Sequence, residues 1–421
     1  MNKTILMISQ YTPQPQYTGG LRYYDWARYL ISRGYRVYLL CGAVIHNSDI
    51  DLLEKNEKYR IVKDPSGINY VYVKTKKYEG NGLSRIINMI SFYFSVMKVF
   101  KKLPKPDLII SRSPNPLACV AGIRIARKIN VPSIVDIVDL WPESIVVYMN
   151  VSAKNPIIKL LYKGEKWIYK KSTAIIFTDE GDYDYIKEKG WEKDIPKEKA
   201  FYVNIGVNIE QFDYNKTHKS LEDPMLQKKD IFKVAYTGSV RLVNNLKILI
   251  DAGKILKERG VNDVFIMIHG AGDQVEMLRK YCKKNGIDNV KLYGRIEKEQ
   301  IPYVLTHADL CVLCYQDTPL LRFGGSMNKM FEFLASGRPV IANAKMGYSL
   351  IERYNCGIEI GSNDSAKLAD EIIRFKNMDA EERASYGKRG RAAAEEYDIN
   401  KLCKKMFDVL MYAEDKHKCQ K

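Results

Sequence analysis

Short apolar runs alternate with amphipathic helical patterns along the first half of the chain. This alternation is typical of a parallel sheet wrapped by helices. Residues 21–33 predict a helix with Trp26 and Leu30 on its apolar face and Gly34 after its end. The apolar runs predict strands at 5–9, 36–41, 107–111, 133–138, 174–178 and 201–204.

The same alternation restarts in the second half, with strands predicted at 232–236, 264–269, 290–293, 310–314 and 339–342. Between the halves, residues 213–230 are highly charged and lack apolar periodicity. The expected fold class is therefore α/β, with two doubly wound, Rossmann-like domains facing a cleft. The expected divisions are a first domain at 1–212, a linker at 213–230, a second domain at 231–395, and a terminal helix and tail at 396–421.

Composition adds a constraint on partners. The 421 residues are 46% hydrophobic and 28% charged, as in folded proteins, and their net charge is +17. Such a charge favours nucleic acid, an anionic membrane or phosphorylated small molecules. Because no nucleic-acid motif is present, we expect no nucleic-acid partner.

Cysteine and histidine spacing indicates no metal site and no cofactor. Cys311 and Cys314 fall in one predicted strand, where residues three apart point to opposite faces. The five histidines show no ligand spacing. Asp182 and Asp184 lie in a helical pattern, where residues two apart diverge by about 200° and do not share an ion.

Two segments bear on the membrane. The apolar run before Gln10 is too short for a signal peptide, and 86–100 is interrupted by polar residues and falls short of a spanning helix. We therefore expect a cytoplasmic chain. Residues 83–102 are apolar and flanked by Arg85 and Lys98, as in an interfacial helix, and a core-facing helix explains the pattern almost as well.

Three loops in the second half are candidates for binding an anion. Gly238 and Ser239 follow a strand, and Arg241 next to them can contact phosphate; the alternative is a plain turn with a solvated arginine. Gly270 and Gly272 form a weaker glycine motif after the next strand.

The third loop, 323–339, is the most specific. Ser326 can cap a helix whose first amides, at residues 327–329, converge on an anion. Glu332, one turn further along, can accept hydrogen bonds from ribose hydroxyls, or is an ordinary glutamate near a helix start.

The run 326–341 resembles the donor-site helix of retaining GT-B glycosyltransferases that build bacterial capsule and O-antigen chains. The resemblance implies a nucleotide-sugar site that includes Ser326, Asn328, Lys329 and Glu332. Glu332 matches the second of the family's two glutamates, whereas Gly324 stands at the position of the first.

The first half resembles the same family. Gly19 and Gly20 look like its glycine loop, which implies that Gly19 lies on the acceptor side and Gly20 near the donor. The sequence Asp-Leu-Trp-Pro-Glu-Ser at 139–144 resembles a motif of transferases for N-acetylfucosamine and related amino sugars. Asp139 is then expected to orient an acceptor hydroxyl, with Glu143 beside it; the alternative makes Asp139 a helix cap.

The family's diphosphate cations are replaced here. Ser239 stands where an arginine is usual, and an asparagine of the pair at 244–245 stands where a lysine is usual. Arg241 is the expected substitute, with helpers at Lys329, Arg322 and Arg295. These cations and the helix amides would stabilise the leaving diphosphate without a metal.

Taken together, the resemblance implies a transferase that moves a sugar from a nucleotide diphosphate. The donor is expected to carry uridine and possibly an N-acetylamino sugar, and the acceptor to be lipid-linked or a polysaccharide. The resemblance also implies that configuration is retained, and that the enzyme acts in surface polysaccharide synthesis as a peripheral protein on the inner face of the cell membrane. Two alternatives stay open: a nucleotide-sugar epimerase of the same fold, and a non-catalytic nucleotide-sugar binder.

Overall fold

The structure, a computed structural model, describes residues 3–18, 21–46, 48–80 and 82–419. The chain folds as two compact units. The first unit comprises Met1–Asn204 and Leu402–Lys421, and the second unit comprises Ile205–Lys401.

The first unit contains an eight-stranded sheet in the order β3-β4-β2-β1-β5-β6-β7-β8, parallel except for the antiparallel β3. All six strands expected in this half are present, with ends shifted by up to two residues. The hairpin of β3 and β4 was not predicted. The strands are β1 Thr4–Ile8, β2 Arg36–Gly42, β3 Tyr59–Lys63, β4 Asn69–Val73, β5 Leu108–Arg112, β6 Ser133–Ile137, β7 Ala174–Phe177 and β8 Ala200–Tyr202.

Helices cover this sheet, so its central strands are buried along their whole length and mostly apolar. Phe92 and Val96 of the second helix pack with Ile125 of the third against Val71 and Ile109 of the sheet. The helices are α1 Arg22–Ser32, α2 Leu83–Val99, α3 Pro116–Ile129, α4 Glu143–Tyr148, α5 Pro156–Lys171 and α6 Asp182–Glu188.

The second unit is a six-stranded parallel sheet in the order β11-β10-β9-β12-β13-β14. The five expected strands are present, and the short edge strand β14 was not predicted. The strands are β9 Phe232–Thr237, β10 Val264–His269, β11 Val290–Gly294, β12 Leu310–Leu313, β13 Val340–Ala342 and β14 Gly357–Glu359. The helices are α7 Ile209–His218, α8 Pro224–Gln227, α9 Lys247–Glu258, α10 Val275–Lys284, α11 Ile301–Thr306, α12 Asn328–Ala335, α13 Leu350–Arg353, α14 Ser365–Asn377 and α15 Ala380–Glu396.

The expected linker at 213–230 is not an extended connection. It overlaps α7 and α8, where Phe212 and Leu226 are buried, and Arg391 pairs with Asp213 at 2.6 Å. Both helices belong to the second unit. Their few apolar residues sit among many charges, which hides the helical pattern in the sequence.

The last helix, α16 Ile399–Cys419, returns to the first unit after the second unit is complete. Met406 and Leu410 are fully buried, and Lys3 pairs with Glu414 at 2.5 Å. The segment 396–421, expected as a separate helix and tail, is therefore an integral part of the first unit from Leu402 onward.

The expectation that 86–100 falls short of a membrane-spanning helix is corrected in the segment that contains α2. By length and composition, Leu83–Lys102 is long and apolar enough to cross a membrane, although polar residues interrupt it. One face nevertheless packs on β4 and α3, and Asn88 on that face is buried and hydrogen-bonded to Gln10. The opposite face is exposed at Leu83, Ile86, Ile87, Ile90 and Phe94.

Candidate functional site

Loops after β9, β10 and β11 lie at one edge of the second unit's sheet, because parallel strands all end at the same edge. Short backbone contacts join each of these loops to the next. Gly238 N–H donates to the His269 carbonyl at 3.0 Å, and Gly270 N–H donates to the Gly294 carbonyl at 2.7 Å. A Cβ on Gly270 would lie 1.7 Å from the Gly238 carbonyl oxygen. Gly270 and Gly272 therefore have a clear packing role between loops, and their contact with a donor stays a prediction.

The Lys329 ammonium connects residues of several strands and loops at this edge through hydrogen bonds. It donates to the Asn244 side-chain oxygen at 2.5 Å, the Tyr236 hydroxyl at 3.1 Å and the Cys314 carbonyl at 3.1 Å. Asn244 in turn donates to Ser239. Burial lowers the pKa of Lys329 to about 8. Asn244, one of the two asparagines at 244–245 where the family has a lysine, thus binds the ammonium of another lysine, a pairing that the sequence alone did not indicate.

The helix after the third loop begins at Asn328, and its N-cap residue is Met327. The expectation that Ser326 caps this helix is wrong. Ser326 lies one residue too early, and its hydroxyl accepts a hydrogen bond from the Ile205 amide at 3.4 Å. Asn328 is exposed in the first turn. The first amides of α12 are consequently not capped by a side chain, and they carry the positive end of the helix dipole.

Glu332 lies one turn into α12 and is partly buried. Burial raises the pKa of its carboxyl to about 7, and the nearby Lys298 charge opposes this shift. Among the described residues, its side chain has no hydrogen-bond donor. A carboxylate in this condition is suited to accept hydrogen bonds from paired hydroxyls.

The two expected surface cations are placed at the same edge. Arg241 follows β9 and Arg295 follows β11, and both side chains are exposed. Neither makes an ion pair within the described ranges. Arg322 is also exposed, but its guanidinium stacks 4.2 Å from the ring of Phe323 and donates to the Pro319 carbonyl. Arg241 and Arg295 are the better placed candidates for phosphate.

In the first unit, Asp139 follows β6 and remains accessible to solvent. The surrounding protein raises the pKa of its carboxyl by desolvation, and the charges of Arg112 and Arg85 oppose this effect. Helix α4 begins only at Glu143, with Pro142 as its N-cap, so Asp139 does not cap it. An apolar cavity of about 120 Å³, lined by Asp139, Trp141 and residues of α3 and α5, lies beside it.

Glu143 has a structural partner. Its carboxylate pairs with Lys189 at 2.7 Å and accepts from the Tyr162 hydroxyl. These contacts fix Glu143 against α5 and α6, and its expected role on the acceptor side stays a prediction. The expected Gly19 and Gly20 loop lies outside the described residues.

Sequence reasoning missed a buried charge cluster near Asp139. Asp136 is fully buried on β6 and pairs with Arg22 at 3.1 Å and with Arg112 at 3.4 Å. Arg22 also donates to the Val203 carbonyl. An aspartate and an arginine at the ends of apolar strands, in Ser133–Ile137 and Leu108–Arg112, were the available signal.

No cluster of three or more histidine, cysteine or acidic side chains could hold a metal ion within residues 3–18, 21–46, 48–80 and 82–419. Asp182 and Asp184 both lie in the first turn of α6.

Residues 220–393 match the family described as glycosyl transferases group 1, and residues 20–211 match glycosyltransferase family 4. These matches and the two Rossmann-like units assign the chain to the GT-B fold class. Residues 220–393 thus resemble the group 1 glycosyltransferases, and residues 20–211 resemble glycosyltransferase family 4.

Two curated relatives are similar over part of their length. EpsD of Bacillus subtilis (strain 168), whose name describes a glycosyltransferase, is 27% identical over 59% of this chain and 63% of its own. WcaL of Escherichia coli (strain K12), whose name describes a glycosyltransferase of colanic acid biosynthesis, is 26% identical over 49% of this chain and 48% of its own. The matched stretch thus spans less than two thirds of each relative.

Solved structures share the fold over nearly the whole chain. HepE of Anabaena, in complex with UDP, is 17% identical, with a TM-score of 0.69 over 97% of this chain and 99% of its own. Sucrose-phosphate synthase of Thermosynechococcus elongatus is 16% identical, with a TM-score of 0.71 over 97% and 98%. The predicted fold class of two Rossmann-like domains is confirmed.

Proposed function

We propose that this protein is a metal-independent, retaining glycosyltransferase. Its donor is a nucleotide diphosphate sugar, with uridine as the base and an N-acetylamino sugar as the group transferred. Its acceptor is lipid-linked or a polysaccharide, in the synthesis of a surface polysaccharide. The observation that carries this proposal is the meeting of the Gly238 loop, Lys329 and the uncapped start of α12, with Glu332 one turn beyond.

In the proposed reaction, the bond between the anomeric carbon and the β-phosphate oxygen breaks, and the acceptor oxygen bonds to the same carbon. The departing phosphate takes the acceptor proton. Arg241, Arg295 and the amides of α12 stabilise the growing charge on the diphosphate. Glu332 holds the ribose, and Asp139 of the first unit orients the acceptor hydroxyl.

The complex of HepE with UDP supports uridine as the base, because the two chains share a fold. The names of EpsD and WcaL support a place in polysaccharide synthesis. Neither relative supports a particular sugar, so the N-acetylamino group rests on the motif at 139–144 alone.

The donor site is tested by a thermal-shift screen against UDP, GDP, ADP and their sugars, with and without EDTA. A ligand that binds only the folded state raises the melting temperature, by RT ln(1 + [L]/Kd) in free energy. We expect a shift with UDP that EDTA does not remove. If none of the nucleotides raises the melting temperature, the donor site is rejected. If EDTA removes the shift, metal independence is rejected.

Conversion is tested by incubating the enzyme with a UDP-sugar, with and without membrane lipid extract. Transfer gives a glycosylated lipid with the donor's anomeric configuration, read by NMR. Isomerised donor in the absence of extract would indicate an epimerase. Binding without any turnover would indicate a non-catalytic binder.

We also propose that the first unit lies on the inner face of the cell membrane through α2. Five apolar side chains form its exposed face, and Arg85, Lys98, Lys101 and Lys102 flank it. Flotation with anionic liposomes at low salt should recover the protein, and a Ile87→Asp, Ile90→Asp variant should stay at the bottom. Equal flotation of both proteins would contradict this role of α2.

A further inference from the structure

Two loops at the carboxyl edge of the second unit's sheet meet just before α12. The first loop, 314–327, follows β12, and the second loop, 343–349, follows β13. Gly347 N–H donates to the Leu321 carbonyl at 2.8 Å, and a Cβ on Gly347 would lie 1.9 Å from the Arg322 carbonyl oxygen. The two loops are therefore in direct backbone contact, within a few residues of the uncapped start of α12.

The backbone of the loop 343–349 is fixed by buried hydrogen bonds. Met346 N–H donates to one oxygen of the buried Glu359 carboxylate at 3.1 Å, and the Ser349 hydroxyl donates to the other oxygen at 2.6 Å. Tyr348 has φ 56°, in the left-handed region, which a bulky residue adopts only where its surroundings hold the backbone. The loop thus presents the Met346 side chain from a fixed backbone.

Two methionine side chains converge where these loops meet. A Cβ on Gly325 would lie 3.2 Å from the Met346 sulfur and 3.3 Å from the terminal methyl carbon of Met327. Met346 is buried, whereas Gly325 and Met327 are partly exposed. Because Gly325 has no side chain to cover the ends of these methionines, the surface between the two loops is apolar there.

The polar side chains of the segment before α12 have partners within the protein. The Ser326 hydroxyl accepts a hydrogen bond from a backbone amide at 3.4 Å, and the Arg322 guanidinium stacks on the Phe323 ring. The described segment 320–327 contains no carboxylate or amide side chain that could hydrogen-bond the hydroxyls of a sugar. A ligand group placed here meets backbone atoms and the two methionines.

The proposed donor brings its sugar close to this place. Helix α12, whose first amides are proposed to bind the diphosphate, begins at Asn328. Gly325 precedes Asn328 by three residues, which span at most about 10 Å. The sugar is bonded to the β-phosphate through its anomeric carbon. Because C2 adjoins this carbon, a substituent on C2 is the one nearest to the diphosphate.

We infer that Met327 and Met346 form an apolar subsite for the methyl group of a 2-acetamido substituent on the transferred sugar. Methionine is flexible and polarisable, so two thioethers can close around a methyl group. This inference rests on the proposed function and deepens it, because it assigns the selection of the donor's sugar to two residues of the second unit. The N-acetylamino group then has a basis that does not depend on the motif at 139–144.

The inference is tested by calorimetric titration of the full chain with UDP and two pairs of donors. The pairs are UDP-N-acetylglucosamine with UDP-glucose, and UDP-N-acetylgalactosamine with UDP-galactose. We expect the wild type to bind the acetamido member of at least one pair roughly tenfold or more tightly than its 2-hydroxy counterpart, because one buried methyl or methylene group discriminates by about 10–200-fold.

Met327→Gln and Met346→Gln should each reduce this affinity ratio several-fold, whereas Met327→Leu should keep most of it because leucine is also apolar. The ratio is taken within each protein, so a general loss of donor affinity cancels. Met327 is partly exposed, so its variant folds even if a glutamine at the buried Met346 does not. Met277→Gln, the same change at a 49% exposed position of α10, is the matched control and should keep the wild-type ratio.

The titrations separate failure of this inference from failure of the proposed donor site. Binding of UDP without any preference for an acetamido sugar would overturn the inference alone. A preference that stays unchanged in Met327→Gln would also overturn it, since the methyl group would then bind elsewhere. Failure of UDP to bind the wild type would reject the proposed donor site, and this inference with it.

Discussion

The Glu332 carboxyl makes the proposed donor site sensitive to pH, because this carboxyl is neutral at pH 5 and charged at pH 8. Its folded pKa of about 7 exceeds the ordinary value of 4.5. The folded state then binds more protons than the unfolded state between these values, so stability falls as pH rises from about 4.5 to about 7 and levels off above it.

We expect Glu332→Gln to remove this step and to stabilise the protein at pH 8 by roughly 1–3 kcal/mol, with little change below pH 4.5. Urea unfolding at pH 8 and below pH 4.5 measures this difference in the free energy of unfolding. The same variant should bind UDP about tenfold more weakly, because a neutral amide accepts ribose hydrogen bonds less well than a carboxylate. Glu299→Gln, a change at an exposed position, is the control; an identical pH step in both variants would contradict the assignment.

The pKa of Lys329 predicts a second pH dependence, in which UDP affinity changes on the alkaline side. Its ammonium loses its proton as pH rises through about 8, and phosphate binding prefers the charged form. UDP affinity in the wild type should therefore fall above pH 8. In Lys329→Gln we expect a lower affinity that no longer changes across that range, while the exposed Lys284→Gln keeps the wild-type profile. Calorimetric titration from pH 6.5 to 9.5 measures this, and an unchanged slope in Lys329→Gln would exclude Lys329 as its source.

For individual residues, the sequence predicted which residues belong to the candidate site better than it predicted the contacts that they make. Glu332 and Lys329 were recognised through a motif, but the Lys329 contacts with Asn244, Tyr236 and Cys314 span up to 93 residues of sequence. No local pattern encodes such partners. The prediction that Ser326 caps α12 was wrong because the first residue of a helix depends on backbone angles. A small change in these angles moves the helix start by one or two residues.

Among the elements, the contact between the first two glycine loops should be the most sensitive to substitution. Gly270 has φ 159° and lies directly against the Gly238 carbonyl. We expect Gly270→Ala to destabilise the second unit by about 2–4 kcal/mol and to abolish UDP binding, because backbone atoms must move apart.

Gly390→Ala is the matched control for this prediction. Its Cβ would meet neighbours at an ordinary 3.4 Å within helix α15, so the substitution should be neutral or slightly stabilising. Thermal unfolding of both variants provides the comparison. A Gly270→Ala protein with wild-type stability would show that the loops are not tightly joined.

Strands that are buried on both faces were predictable because they form continuous apolar runs. Two of the strands that were not predicted lack such a run, because β3 is partly exposed and β14 has only three residues. The third, β4, is buried from Tyr70 to Val73, so its apolar run was an available signal that the prediction missed. Helices α7 and α8 escaped because tertiary packing, not periodicity, stabilises them.

The whole molecule depends on a chain that leaves the first unit and comes back. Deleting residues 402–421 removes Leu402, Met406 and Leu410 from the core, and each fully buried side chain of this size contributes about 1.5–3 kcal/mol. Because small domains are stable by only about 5–15 kcal/mol, we expect residues 1–204 alone to lack a cooperative unfolding transition.

Joining 1–204 to 402–421 by a short Gly-Ser linker should restore that transition, as measured by circular dichroism and urea. The linker can be short because Val207 and Asp398, which follow and precede the two crossings, pair directly. Cooperative unfolding of 1–204 without the helix would show that α16 is dispensable.

The return of α16 makes residues 205–401 an uninterrupted insert within another fold. In evolutionary terms, a single recombination event with breakpoints near 204 and 402 would replace the entire half proposed to select the nucleotide sugar, without cutting through either hydrophobic core. New polysaccharide structures could then arise by cassette exchange, with the lineage of the flanking segments differing from that of the segment between them.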